Sequence, residues 1–277
     1  MMAPDFIIIG AMKCGTTSLY RYLGAHPDIG LSREKETDFF LAKQNFAQGL
    51  DWYRAQFASG ARINGEASPN YTKHTEFPGV PERIFDTAPG VRLIYIVRDP
   101  VDRFLSQYHH HAIAGEANPD PRHVLSTRAG RNYLECSRYF KQLSRYLDFF
   151  PRDQIFVASF DELRERPHSL VRQVFDFLEV DSAVAVDGLD RAHNQRSSLQ
   201  GLPQWYFRAR RSPLLKAIKG RLPQPLYEAM LNRLRRAPQG ELPRIDEDLR
   251  AELKNLLKDD AMRFRDFTGM PFANWSL

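Results

Sequence analysis

The sequence predicts an α/β fold in which helices flank a central parallel sheet. One observation is that four short apolar runs alternate along the chain with segments of helical spacing. Strands buried on both faces of a parallel sheet are continuously apolar, because helices cover both faces. Another observation is a glycine-containing turn directly after the first run, followed by residues that can begin a helix. Since the chain has 277 residues, we expect a single domain over residues 1–277.

The individual elements follow from apolar runs and from helix-end signals. Strands are predicted at residues 6–9, 62–65, 91–97 and 155–158, with 91–97 the strongest. Helices are predicted at residues 16–24, 80–87, 101–111, 137–149, 167–178 and 247–267. Residues 116–131 are polar and contain two prolines and a glycine, so a surface loop is expected there. Trp52, Tyr53 and Phe57 have helical spacing and are expected in the core rather than at a sugar-binding surface.

The composition fits a cytoplasmic protein with an ordinary core. Hydrophobic residues make up 43% of the chain and charged residues 26%. No apolar run approaches the roughly 20 residues that cross a bilayer, and no signal peptide is expected. Two cysteines, Cys14 and Cys136, are too few for a disulfide framework, and their spacing fits no zinc site. We expect both to be reduced, small buried side chains.

The charge is concentrated in one segment. The chain carries a net charge of +5, but residues 202–240 contain nine basic residues and one acidic residue, a net of +8. This segment is interpreted as a lid or a subdomain that contacts an anionic surface, such as a membrane or a glycan. The alternative is a set of solvated amphipathic helical faces. Nucleic acid is not expected as a partner.

The most informative motif is the turn after the first strand. Gly10 and Gly15 frame it, Lys13 lies inside it, and hydroxyl residues follow. Loop amides and a helix N-terminus attract an anion, so a phosphate-binding loop is predicted. It is not a Walker A loop, because Thr16 stands where that motif has its lysine. The alternative is a tight turn whose polar residues are incidental.

A second motif follows the strongest strand. Arg98 comes at its carboxyl end, where ligands of open parallel sheets bind, and Ser106 lies in the next predicted helix. A guanidinium forms strong, often bidentate bonds to phosphate. Asp99 is expected to cap that helix. Taken alone, Arg98 fits a surface ion pair, but its position in a second strand–turn–helix unit favours a second phosphate site.

Together these motifs resemble the sulfotransferases that use 3′-phosphoadenylyl sulfate (PAPS). The segment 13–18 resembles their 5′-phosphosulfate loop, and Arg98-Asp99-Pro100 with Ser106 resembles their 3′-phosphate motif. Segments 35–40 and 66–71 are similar to the glycan-type members that act on heparan sulfate. The likeness runs from about residue 6 to about residue 180.

The resemblance implies a P-loop-like sulfotransferase fold, PAPS as donor and 3′,5′-diphosphoadenosine (PAP) as product. It implies Glu36 as the general base and Lys13 as the cation that stabilises the leaving phosphate. No metal is expected, because a sulfuryl group carries less negative charge than a terminal phosphoryl group. A late basic loop would close the nucleotide site, with 194–198 as the first candidate and 219–221 as the second. The implied nucleotide-binding residues are Lys13, Cys14, Gly15, Thr16, Thr17, Ser18, Arg98, Ser106, Arg196 and Ser197.

The acceptor stays open. A hydroxyl or an amine of a saccharide, a glycolipid or a secondary metabolite fits, but Ala67 stands where glycan enzymes often have a lysine. Two other functions remain: a P-loop nucleotide-dependent kinase, and a non-catalytic protein that binds anionic polymers. His109 or His26 is an alternative base. The run His109-His110-His111 is not expected to bind a metal, because consecutive helical residues point in different directions.

Overall fold

The computed structural model of the chain describes residues 4–57, 60–114, 116, 120–186 and 245–277. Its centre is a five-stranded parallel sheet in the order β2-β3-β1-β4-β5. The predicted α/β fold with a parallel sheet is confirmed. The strands are β1 (Phe6–Gly10), β2 (Ile29–Leu31), β3 (Ile63–Ala67), β4 (Arg92–Val97) and β5 (Ile155–Ser159).

Helices cover the sheet and connect its strands. In the described residues they are α1 (Thr16–Leu23), α2 (Gly49–Arg54), α3 (Val80–Thr87), α4 (Pro100–Ile113), α5 (Arg128–Ser137), α6 (Tyr139–Leu147), α7 (Phe160–Glu165), α8 (Pro167–Leu178) and α9 (Glu247–Thr268). None of these helices is both long and apolar enough to cross a membrane.

The structure corrects the predicted elements at several places, and the helices α5 and α7 were not predicted. The short strand β2 was missed, because three residues give too little periodicity to recognise. The helix predicted at 137–149 is α6, which begins two residues later, because Arg138 has a non-helical backbone with φ −85° and ψ 80° and separates it from α5. The loop predicted at 116–131 ends earlier than expected, because α5 begins at Arg128. The Thr127 side chain caps this helix by accepting a hydrogen bond from the Gly130 amide.

The sheet order determines where a ligand can bind. β1 is central and pairs with β3 on one side and with β4 on the other. The chain passes from β1 through α1 to β2 and β3, then crosses back to β4 and β5. The connections therefore diverge between β1 and β4, where a crevice forms at the carboxyl ends of the strands. The turn after β1 carries Lys13, and the turn after β4 carries Arg98.

The core lies on both faces of the sheet and continues under α9. Every residue of β1 is buried. Asp260 of α9 accepts hydrogen bonds from the Phe140 and Lys141 amides at the start of α6, at 3.0 and 2.9 Å. Trp275 stacks on Phe272, with ring centroids 4.2 Å apart. The expected burial of Tyr53 and Phe57 is confirmed, and Trp52 packs against the same core.

Candidate active site

The turn after β1 is a tight loop held against the sheet. The Ala11 amide donates to the Ile96 carbonyl of β4 at 2.7 Å. A side chain at Gly10 would meet the Thr72 hydroxyl, since an added Cβ would lie 2.2 Å from Thr72 Oγ1. Gly15 has a left-handed backbone, with φ 90° and ψ 12°, which favours glycine. These constraints explain both glycines of the motif.

The loop directs a helix N-terminus into the crevice. Gly15 is the cap residue of α1 and has no side chain to bond the first helical amides. The amides of Thr16 and Thr17, in the first turn of α1, have no partner within the helix and attract an anion. Thr17 and Ser18 are half-buried. Lys13 has a positive φ of 71°, so the loop is also shaped at this residue.

Cys14 differs from the other loop residues because its side chain faces the interior. It is fully buried, and its Sγ lies 3.6 Å from the Tyr139 hydroxyl and 3.8 Å from the Met12 carbonyl. Burial raises the pKa of this thiol, although the Arg103 charge opposes the rise. Only its backbone can face an anion in the loop. Both cysteines are free and buried, as expected.

Arg98 lies at the carboxyl end of β4 and is held on two sides. Its Nη2 donates to Asp102 at 2.9 Å, and its guanidinium lies 5.2 Å from the Phe160 ring centroid. Its Nε is buried and has no hydrogen-bond partner among the described residues. A buried donor without a partner is costly, so this atom is suited to bind an anionic ligand.

Ser106 lies on the same side of α4 as Asp102, which accepts a hydrogen bond from Arg98. It follows Asp102 by four residues, and residues at this spacing are neighbours on a helix surface. Asp99 caps α4 by accepting from the Asp102 amide at 2.8 Å, as predicted. The turn that carries Arg98 is therefore anchored at its base.

Arg103 is a buried cation beneath the loop, and sequence reasoning gave it no role. It is fully buried, and its Nε donates to Ser137 Oγ at 2.7 Å. Its Nη1 donates to Gln107 Oε1 at 2.8 Å and reaches the Met12 carbonyl at 3.5 Å. The guanidinium thus contacts the residue before Lys13 and joins α4 to the loop.

Glu36 lies in the loop after β2, and its side chain is 49% exposed. It forms an ion pair with Lys35 at 2.9 Å. A general base must be accessible to an acceptor, so this exposure fits the predicted role. The alternative base His26 is buried, with Nε2 bonded to the Asp181 carbonyl and Nδ1 to the Asp28 amide. Because both ring nitrogens of His26 bond the backbone, these contacts indicate a structural role for this residue.

Glu66, at the end of β3, is a residue whose role sequence reasoning missed. Its carboxylate is fully buried and accepts from four hydroxyls. Burial raises its pKa, and the four hydroxyl groups oppose that rise by stabilising the charged form. The signal in the sequence was an acidic residue inside a buried strand. The donors are Thr37 Oγ1 at 2.5 Å, Tyr53 at 2.7 Å, Ser68 Oγ at 2.7 Å and Tyr71 at 3.0 Å.

Comparison with known proteins gives the family. The sulfotransferase domain model matches residues 3–202, more than two thirds of the chain. The chain belongs to the sulfotransferase family. A crystal structure of a sulfotransferase from Alicyclobacillus acidocaldarius is similar over the full length of both chains, with 25% identity and a TM-score of 0.72. The sulfotransferase fold predicted from the motifs is thereby confirmed.

Curated relatives of this sulfotransferase include two eukaryotic enzymes. The membrane-associated sulfotransferase kil1 of Dictyostelium discoideum is 26% identical over 269 residues, covering 64% of this chain and 56% of the relative. Heparan sulfate glucosamine 3-O-sulfotransferase 5 of Homo sapiens is 30% identical over 190 residues, covering 64% of this chain and 54% of the relative. The chain therefore spans about half the length of these relatives.

A cavity of about 980 Å³ lies between the segment after β3 and the helices α4 and α5. Gln107, which accepts from Arg103, lines it, as does Lys73, which follows the Thr72 side chain packed on Gly10. Lys73 is 9% exposed, and no hydrogen bond or ion pair of its ammonium is formed with the described residues. The lining also includes Glu76, His111, Arg128, Arg131, Tyr133, Leu134, Glu135, Arg138 and Lys141.

Two predicted features remain to be placed. In the described part of the chain, no group of three or more histidine, cysteine or acidic side chains is arranged to hold a metal ion. His111, from the histidine run, instead pairs through Nδ1 with the Tyr133 hydroxyl at 2.5 Å. Arg196, Ser197, the second loop candidate at 219–221 and the basic segment 202–240 lie outside the described residues.

Proposed function

We propose that this sulfotransferase transfers a sulfuryl group from PAPS to a hydroxyl or amine of an acceptor, without a covalent enzyme intermediate. The observation that carries the proposal is the pairing of two anion-binding turns at neighbouring strands of one sheet. The first amides of α1 suit a 5′-phosphosulfate, and the unpartnered Nε of Arg98 suits a 3′-phosphate. A nucleotide phosphorylated at both ends needs both sites.

The donor supplies an activated sulfur, and the protein residues handle charge and the proton. The acceptor atom bonds to sulfur as the bond between sulfur and the bridging phosphate oxygen breaks, and PAP leaves. Glu36 removes the acceptor proton. Lys13 stabilises the negative charge that develops on the leaving phosphate oxygen, an interaction that is stronger in the transition state than in the ground state. The 5′-phosphate is held by Thr16, Thr17 and Ser18. The 3′-phosphate is held by Arg98 and Ser106.

Calorimetric titration with PAP tests the nucleotide. We expect PAP to bind at least ~10-fold more tightly than adenosine 5′-monophosphate, because a charge-assisted phosphate contact contributes about 1.5–3 kcal/mol. Arg98→Met should remove most of that difference, whereas Arg62→Met, at an exposed position near the start of β3, should retain it. Equal affinity for the two nucleotides would exclude a separate binding site for the 3′-phosphate. Magnesium-dependent ATP turnover without PAP binding would identify a kinase instead.

The cavity lined by Lys73 is the proposed acceptor site, and an anionic saccharide is the proposed acceptor class. The human relative is named for sulfation of glucosamine in heparan sulfate. In this chain, the buried Lys73 lines the cavity, and its ammonium forms no ion pair with a described residue. Glu135 is paired with Arg138 and Lys141, so it does not neutralise Lys73. The described lining carries five basic and three acidic side chains, and this excess of positive charge favours a carboxylate or sulfate on the ligand.

Two probes that differ only in charge test this acceptor site. With PAP bound, 4-nitrophenyl β-D-glucuronide should bind roughly 10-fold more tightly than 4-nitrophenyl β-D-glucoside, as one charge-assisted hydrogen bond predicts. Lys73→Met should abolish the preference without changing PAP affinity. Lys254→Met, on the exposed side of α9, is the control. If neither probe binds, or if the Lys73 variant keeps the preference, the assignment is wrong.

A further inference from the structure

We propose that Glu66 is a positioning residue, which holds the segment at residues 36–40 in place through three hydroxyl groups. That segment carries the proposed base Glu36, so the predicted effect on turnover rests on the proposed function. The effect on the segment's conformation does not. Glu66 itself is fully buried and does not reach the cavity or the loop surface. It acts only through the groups that it bonds.

Each of the three hydroxyls connects a backbone amide of the segment to the carboxylate. The Asp38 amide donates to Ser68 Oγ at 3.1 Å, and Ser68 donates to Glu66. The Phe39 amide donates to Thr37 Oγ1 at 3.3 Å, and Thr37 donates to Glu66.

The third connection has the same form. The Phe40 amide donates to the Tyr71 hydroxyl at 3.3 Å, and Tyr71 donates to Glu66 Oε1. Three consecutive amides are therefore held by one carboxylate through three separate bridges, two of which come from the segment that follows β3.

The direction of these hydrogen bonds explains why an acid is needed at position 66. A hydroxyl has one proton, and each of these three uses its oxygen to accept an N–H. Its proton must then find an acceptor, which is a Glu66 oxygen in all three cases. An ionised carboxylate accepts about four hydrogen bonds and donates none, which matches the four hydroxyls present. A glutamine would replace one carboxylate oxygen with an NH₂ donor, and the two hydroxyl protons that point at that oxygen would lose their acceptor.

The segment has a conformation that needs such support. Asp38 has a positive φ of 45°, an uncommon backbone for a residue other than glycine. Its carboxylate also accepts from Asn70 Nδ2 at 3.1 and 3.0 Å. The Lys35 carbonyl accepts from the Ala67 amide at 3.3 Å. The main chain on both sides of Glu36 is therefore tied to the end of β3, although the Glu36 side chain is exposed.

Tyr53 provides a matched control for Tyr71. Both hydroxyls donate to Glu66 Oε1, at 2.7 and 3.0 Å, and both rings are buried. Only Tyr71 accepts a backbone amide of the segment. Removing either hydroxyl takes one donor from Glu66, but only Tyr71→Phe also breaks a bridge to the segment.

The first measurement is hydrogen exchange of amides 38–40, which needs no acceptor. Glu66→Gln and Tyr71→Phe should exchange these amides at least ~10-fold faster than wild type, since a lost buried hydrogen bond is worth about 1–3 kcal/mol. Tyr53→Phe should stay within about twofold, because no amide loses its acceptor. Equal exchange in the two tyrosine variants, or unchanged exchange in Glu66→Gln, would overturn the proposal.

The second measurement separates positioning from general structural damage. We expect Glu66→Gln to lower kcat by roughly 100-fold, because a displaced catalytic group can cost that much. PAP affinity should stay within about twofold, since Glu66 contacts neither anion-binding turn. Tyr71→Phe should lower kcat more than Tyr53→Phe does. If Glu66→Gln weakens PAP binding as much as it lowers kcat, the residue is merely structural and the proposal fails.

The two measurements also distinguish this inference from the assignment of the base. If Glu36→Gln keeps full activity while amides 38–40 still respond to Glu66→Gln, the base assignment is wrong and the positioning of the segment stands. If Glu66→Gln fails to fold, the contrast between Tyr71→Phe and Tyr53→Phe decides the question. A wild-type exchange pattern in Tyr71→Phe would then reject the proposal.

Discussion

At the scale of single residues, two buried charges lie near the site, and neither forms an ion pair with a described residue. Glu66 is stabilised by four hydroxyls, and Arg103 by oxygens of Ser137, Gln107 and Met12. A buried charge without hydrogen bonds would be unstable, whereas neutral dipoles in fixed orientations can satisfy it. Because each dipole has one correct orientation, both charges fix the geometry of the residues around them.

Glu36 is the residue on which the proposed chemistry depends. Glu36→Gln should lower kcat by about 100-fold or more, since general-base catalysis typically contributes 10²–10⁴-fold. PAP affinity should be unchanged, because Glu36 lies outside both anion-binding turns. Glu34→Gln, in the same exposed loop, is the matched control. Steady-state kinetics with labelled donor measure both variants, and a Glu36 variant with normal kcat would exclude it as the base.

At the scale of elements, the β5–α7 turn supports both anion-binding turns at once. Phe160, the first residue of α7, has its ring 5.2 Å from the Arg98 guanidinium. The same ring lies against Gly15, where an added Cβ would be 2.7 Å from Phe160 Cδ2. One aromatic side chain from a third strand–helix unit therefore sets the spacing between the loop after β1 and the turn after β4.

Gly15→Ala tests this shared support. The alanine would have to adopt a left-handed backbone, and its Cβ would clash with the Phe160 ring. We therefore expect the free energy of unfolding to fall by about 1–3 kcal/mol. PAP affinity should fall as well, because Phe160 would be displaced from both turns. Gly49→Ala is the control, since Gly49 has φ 81° but no atom within 4 Å of an added Cβ. Calorimetry and chemical denaturation compare the two, and equal PAP affinities would argue against the coupling.

At the scale of the whole molecule, the last described helix closes the fold around the site. α9 packs on α4 and α6, and the segment after it returns to the β4–α4 turn, where the Ser276 amide donates to Asp99. The Asp99 carboxylate therefore caps α4 with one oxygen and holds the segment after α9 with the other. The turn that carries Arg98 is thus braced by residues about 180 positions away.

Asp260 is the polar link between α9 and α6. Asp260→Ala removes the acceptor of two amides at the start of α6, so we expect a loss of about 1–2 kcal/mol, as for other helix caps. Asp259→Ala, at the exposed neighbouring position, should change stability by less than about 0.5 kcal/mol. Thermal denaturation measures both. A destabilisation of similar size in the two variants would show that charge, and not the cap, is what matters.

The sequence by itself determined the features that are local in the chain. Four of the five strands, the glycine loop and the cap at Asp99 depend on residues within a few positions of one another, so composition and spacing suffice to predict them. The two strand–turn–helix units that carry Lys13 and Arg98 were also predictable, because each is local in the chain, and their binding of anions stays a prediction. The missed strand β2 has only three residues and could not show a period.

Only the tertiary structure decided the roles that depend on distant contacts. Glu66 is joined to Thr37 across 29 positions, Arg103 to Ser137 across 34, and Phe160 contacts a glycine from another strand–helix unit. The proposed role of Lys73 depends on the cavity that the segment after β3 forms with α4 and α5. Sequence spacing carries no information about such partners, because the sheet order brings them together and burial makes their hydrogen bonds obligatory.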